Sequence, residues 1–211
     1  MALIKDAKGR RAGETPSGYE RLLGNKELGQ LISKVQSAVI STGSELERDL
    51  EKKLIGRKDV SIGKINPEFR NFRGLKKDST GKTHNIKIDV VIKNESDYEL
   101  IELKDGDTFD TKKVAGELQS LNLVKDFLIK KGVSEKNIKM GFCSFNAENH
   151  DQIEKGAKGL LNRSMAITGR ELCEKLGLNF GVIVEERKKH QKENMKYFEE
   201  EIEKIKKNKK S

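Results

Sequence analysis

Two short β-rich runs separated by four polar residues constrain this chain more than any other feature. Ile86–Lys93 (IKIDVVIK) and Tyr98–Lys104 (YELIELK) are dense in residues that favour a pleated surface, and Asn94-Glu95-Ser96-Asp97 between them is turn-forming. Together they predict an antiparallel hairpin. Among the charged residues set into these runs are Asp89, Glu102 and Lys104. Side chains alternate faces along a strand, so Glu102 and Lys104 share one face while Ile101 and Leu103 take the other. Cross-strand pairing can bring Asp89 next to Glu102. Two carboxylates and one ammonium then converge on one sheet face near the strand ends.

The surroundings supply a scaffold. Val60–Phe69 alternates loosely and reads as a strand, followed by a polar, turn-rich link over 74–84. After the hairpin, Val114, Leu118, Leu121, Leu123, Val124, Phe127 and Leu128 recur at helical spacing, and Gly132 ends that run. Asp107 reads as a turn residue and Asp110 as the N-cap of this helix. Ile138–Phe145 predicts a third core strand, 150–162 a helix, and Thr168-Gly169-Arg170-Glu171 the opening of another helix through Leu176. Phe180–Val184 reads as a short buried strand, and 188–210 as a charged helix or a partly disordered tail. On the N-terminal side, the apolar spacing over Tyr19–Ser37 suits one or two helices. Ser41-Thr42-Gly43 offers a separate start for a helix carrying Leu46, Leu50, Leu54 and Ile55.

This order predicts an α/β fold, a central mixed β-sheet flanked by helices, with helical extensions at both ends. The organisation expected is a flexible basic arm over 1–17, a single domain over 18–185 with its core at 40–145, and a charged C-terminal helix or tail over 186–211.

Composition narrows the partner. Lys and Arg number 43 against 34 Asp and Glu, a formal charge of +9, which favours a polyanion because neutralised phosphates release counterions. Cys143 and Cys173 show no metal-ligand spacing and read as small buried hydrophobes. The opening MALIKDAKGRR holds no apolar run suited to a signal peptide, and no segment is apolar enough to span a bilayer. These features predict a soluble, cytoplasmic protein with no membrane partner.

Two hard carboxylates, Asp89 and Glu102, with the main-chain carbonyl of Leu103 and water, suit Mg²⁺, for which Mn²⁺ can substitute. Lys104 beside them suits stabilisation of negative charge developing on a phosphodiester, or orientation of an attacking water. The spacing D-x12-E-x-K, from Asp89 to Glu102-Leu103-Lys104, resembles the PD-(D/E)xK nuclease superfamily, with Ile88 standing where the family name has Pro. The resemblance covers residues 40 to 145. It implies that Asp89 and Glu102 ligate the metal, that Lys104 assists the nucleophile, and that Glu47, in Thr42-Gly43-Ser44-Glu45-Leu46-Glu47, is a supporting acid on the first core helix. The runs ELKDGDTFDTKK and AITGRELCEKLGL are similar to stretches of type II restriction endonucleases. The resemblance therefore implies a Mg²⁺-dependent endonuclease acting on double-stranded DNA, sequence-specific, and a homodimer to match a symmetric site.

Each feature also has a plainer reading. Strands often carry Glu and Lys on a solvated face, Glu47 lies on a charge-rich helix, and Lys112, Lys113 and Gln119 suit an ordinary helix surface. His84, His150 and His190 have no mutual spacing for metal binding or catalysis and read as non-catalytic. Arg70, Arg73, Lys76, Lys77, the stretch 146–149 and Arg163 are the candidates for base contacts. A structure-selective or repair nuclease, and a catalytically silent DNA-binding protein, remain the alternative functions.

Overall fold

Strands β4 (Val90–Asn94) and β5 (Asp97–Lys104) form the expected hairpin, with Val90 opposite Ile101 and Asn94 opposite Asp97. Glu95 turns the chain at φ 48°. The computed structural model describes residues 1–9, 16–77, 80–106 and 109–208. Asp107, read above as a turn residue, lies outside the described residues, as does Thr108.

Strand β1 (Val60–Ile62) pairs antiparallel with β4, and β6 (Ile138–Ser144) and β7 (Ala166–Thr168) add parallel strands beyond β5. The resulting order, β1-β4-β5-β6-β7, is the predicted mixed sheet. Parallel neighbours need a crossover, and α3 (Thr111–Lys130) supplies it between β5 and β6. Asp110 caps α3 by accepting the Lys113 N–H at 3.0 Å. Leu121, Val124 and Leu128 of α3 bury one stripe against Val91, Leu100 and Ile138 of the sheet. Val90, Val91, Leu100 and Ile101 are fully buried, so the central strands are covered on both faces.

The remaining helices are α1 (Gly18–Leu23), α2 (Lys26–Lys53), α4 (His150–Gly156), α5 (Gly169–Leu176) and α6 (Phe180–Asn208). Thr168 and Glu171 close a reciprocal capping box at the start of α5. The chain divides into two compact units, Met1–Leu46 with Gly181–Ser211, and Glu47–Phe180. In the first, Ala2 and Ile4 pack against Ala38, the Ile4 N–H donates to Asn194 at 2.8 Å, and Lys5 pairs with Glu193. Within the expected arm, Ala2 and Ile4 are thus buried, and Ile4 and Lys5 are bonded to α6.

Several local expectations are corrected. Ser41-Thr42-Gly43 does not start a helix but lies inside α2, because the two hydroxyls donate to the carbonyls of Ser37 and Ala38 at 2.9 Å rather than capping free amides. Phe180–Val184 is the first turn of α6, not a strand: a short apolar run has too few residues for its period to decide. The strand expected over Val60–Phe69 stops at Ile62. Gly63 at φ 56° turns the chain there, and a Cβ on it would stand 2.2 Å from a Glu51 carboxylate oxygen. The link expected over 74–84 belongs largely to a second, two-stranded sheet, β2 (Asn71–Lys77) with β3 (Thr83–Lys87).

Candidate active site

The break between β3 and β4 positions Asp89. The chain leaves the two-stranded sheet at Lys87 and enters the five-stranded one at Val90, so Ile88 and Asp89 lie in neither. Arg70 clamps this junction. Its carbonyl accepts the Ile88 N–H at 3.1 Å, and its Nη1 donates to the Asp89 carbonyl at 2.8 Å. The Asp89 carboxylate then reaches across to β5, where Oδ2 accepts the Leu103 N–H at 3.0 Å. Continuing the β4–β5 register by one step sets Asp89 opposite Glu102.

Glu102 is 9% exposed, and its Oε1 accepts from Lys104 Nζ at 2.7 Å. Burial, together with the negative charge of Asp89, pushes the Glu102 carboxyl up to about 8, against the opposing pull of Lys104. The same ammonium meets Glu117 Oε1 at 2.6 Å. Burial alone would lower the Lys104 pKa, but Glu102 and Glu117 outweigh it and the value is raised. Lys104 is therefore held between two acidic side chains, with its charged form favoured.

Glu117 was missed from sequence, though a signal existed. It stands on α3 three residues after Val114 and four before Leu121, a carboxylate within the buried stripe. Its Oε2 is buried without a hydrogen-bond partner. Glu47, expected as a supporting acid, is joined to Asp89 at one remove. Its Oε1 accepts from Arg70 Nη2 at 2.7 Å and from the Gly63 N–H at 3.2 Å, and Lys87 Nζ lies 3.8 Å away. Arg70 is fully buried, so it is withdrawn from the candidates for base contact and becomes an internal brace.

The other candidates are dispersed. Gln119, Lys112 and Lys113 are exposed on α3. Arg163 pairs with Asp151, and Asn146 donates to the Asp105 carbonyl at 2.6 Å. His150 sits 2.9 Å from both oxygens of Glu171, His190 contacts the Met1 carbonyl at 2.9 Å, and His84 lies on β3 opposite Lys76. Cys143 and Cys173 are buried free thiols.

Among the described residues, no group of three or more His, Cys, Asp and Glu side chains gathers as a cage for a metal. The donor set is two carboxylates and main-chain oxygen, which suits Mg²⁺ because that ion keeps several of its waters. The unpartnered Glu117 oxygen leaves acceptor capacity unused beside Glu102 and Lys104. The residues present fit a hard divalent cation.

No protein-family model matches the chain. It is 37% identical over 223 residues to the type II restriction enzyme HhaII of Haemophilus parahaemolyticus, an alignment covering 97% of this chain and 95% of that one. The chain belongs to the type II restriction enzyme family. Among solved structures it is similar to the small subunit of the heterodimeric restriction endonuclease R.BspD6I, at 17% identity and a TM-score of 0.32, over 79% of this chain and 88% of that one. A likeness of that size adds nothing to the argument; membership rests on the near full-length sequence match. Within this restriction enzyme, no helix among the described residues is long and apolar enough to cross a membrane.

Proposed function

We propose that the chain is a type II site-specific deoxyribonuclease that hydrolyses phosphodiesters in double-stranded DNA with Asp89, Glu102 and Lys104. The observation that carries this reading is the convergence of two carboxylates and a fixed ammonium at one end of a buried hairpin, in a member of the restriction enzyme family. Asp89, Glu102 and the Leu103 carbonyl are the ligands for Mg²⁺, and Mn²⁺ can replace it. The cation, when bound, supplies Lewis acidity toward the scissile phosphate and the attacking water.

The chain's own groups do the rest. The Leu103 amide holds one oxygen of Asp89 and so orients the carboxylate. Glu102 offers its carboxyl oxygens at a site where water is largely excluded. Lys104, held cationic by Glu102 and Glu117, meets the negative charge that grows on the phosphoryl oxygens as water attacks in line. Glu47 acts through Arg70, whose guanidinium it neutralises, and so steadies the backbone at Asp89. A homodimer accounts most simply for cutting both strands of a symmetric site, and the cytoplasm is where such an enzyme meets DNA.

Incubation of the purified protein with unmethylated phage DNA, in Mg²⁺ and separately in EDTA, tests the reading. Discrete, reproducible fragments only with Mg²⁺ are expected. A Mg²⁺-dependent smear would replace it with a structure-selective or nonspecific nuclease, and binding without cleavage in any metal would replace it with a silent DNA-binding protein.

A further inference from the structure

The β2–β3 ribbon has two unlike faces. On one, Phe72 and Ile86 are buried in the core that α3 also lines, and Phe72 meets Phe127 edge-on at 6.0 Å. The opposite side exposes Asn71, Arg73, Lys77, Asn85 and Lys87. Residues 71–87 hold Arg73, Lys76, Lys77, Lys82 and Lys87 against a single acid, Asp78. The strand register shifts between Phe72 and Lys76, and Gly74, at φ 67°, donates its N–H to Asn85 Oδ1 at 3.1 Å. Such a bulge bends a strand, sharpens its twist and redirects the side chains beside it.

We propose that the exposed face of this ribbon is the surface that enters the major groove of duplex DNA. A two-stranded antiparallel ribbon has the width the major groove admits, and the minor groove is about half as wide. The excess of Lys and Arg complements phosphate, and neutralising it releases counterions. Arg73, exposed at the bulge, carries the fork that pairs with the N7 and O6 of guanine. Position links this surface to cleavage. Strand β3 passes from Lys87 through Ile88 straight into Asp89, and the junction is clamped by Arg70. A ribbon seated in the groove therefore holds Asp89 at a fixed offset from the bases being read. This rests on the proposed endonuclease reading, which supplies duplex DNA as the substrate and the mapped cleavage site used in the test.

The test is binding of a fluorescein-labelled duplex carrying a cleavage site mapped from the wild-type fragments, in EDTA and across a salt series. The variant is Arg73→Ala/Lys77→Ala/Lys82→Ala, all exposed positions, with a melting curve to show that it folds. The control is Lys58→Ala/Lys136→Ala, near the turn of the β4–β5 hairpin and so at the opposite end of the strands from Lys104. The slope of log affinity against log salt should fall by about two to three in the ribbon variant. It should not change in the control. Methyl green, which occupies the major groove, should displace the wild-type protein. An unchanged slope in the folded ribbon variant, or binding indifferent to methyl green, would overturn the proposal. Because no metal is present, an error in the metal-site reading leaves this binding intact, and the two failures are distinguishable.

Discussion

The five-stranded sheet and the β2–β3 ribbon are joined by two residues, yet they treat polar side chains in opposite ways. In β4 and β5 the segments Val90–Ile92 and Leu100–Leu103 are buried, and Glu102 intrudes among them at 9% exposure with its carboxyl pushed up to about 8. In the ribbon one face is buried and the other carries its charges into solvent. A buried carboxylate costs stability, so its presence in an apolar strand argues for a task. An exposed lysine costs almost nothing and argues only in numbers. The chemistry is therefore legible from single residues, and the DNA-facing surface only from the density and placement of many.

The sharpest way to break that contrast is Glu102→Gln. Cleavage should fall to background, while the melting temperature in EDTA at neutral pH rises by a few degrees because a neutral amide replaces a carboxyl that must take up a proton to be buried. The sign follows from linkage: the folded carboxyl binds its proton more tightly than the unfolded one. In EDTA the wild type therefore loses stability as pH rises from the ordinary carboxylate range through about 8, and the variant loses that dependence. Thermal melts against pH read both. Lys104→Ala should cost about 10²–10³-fold in single-turnover cleavage, with DNA binding in EDTA retained. Glu47→Ala should cost about 10-fold to 100-fold in cleavage, since its effect is relayed through Arg70. It should also cost about 2 kcal/mol in urea unfolding, because Arg70 loses its charged partner. At the small end, Glu171→Ala removes half of the α5 capping box, should cost about 1 kcal/mol of stability, and should leave the fragment pattern unchanged.

How far the sequence could be read follows the same division. The hairpin, the Asp110 cap and the α3 stripe were legible because each joins a periodic apolar pattern to a terminator. The turn into Asp89 was not: IKIDVVIK reads as one strand, and the break depends on Arg70, distant in sequence and bonded to both Ile88 and the Asp89 carbonyl. Arg70 itself looked like a surface residue in a basic stretch, and only the fold buries it. Glu117 is not legible as a site residue because helical periodicity is carried by the apolar residues around it. The ribbon reads as a link because Gly74, Gly81 and a run of lysines resemble loop composition, while Phe72 and Ile86, its anchors, lie at its base.

The most direct test of the central claim is single-turnover cleavage of a mapped duplex by Asp89→Asn in Mg²⁺, beside binding of the same duplex in EDTA. Asparagine keeps the size of the side chain and an oxygen for the Leu103 amide but removes the charge. The account predicts that cutting disappears while affinity in EDTA stays within a few-fold of wild type. Wild-type cutting by Asp89→Asn would contradict it and remove Asp89, and the site built around it, from the chemistry.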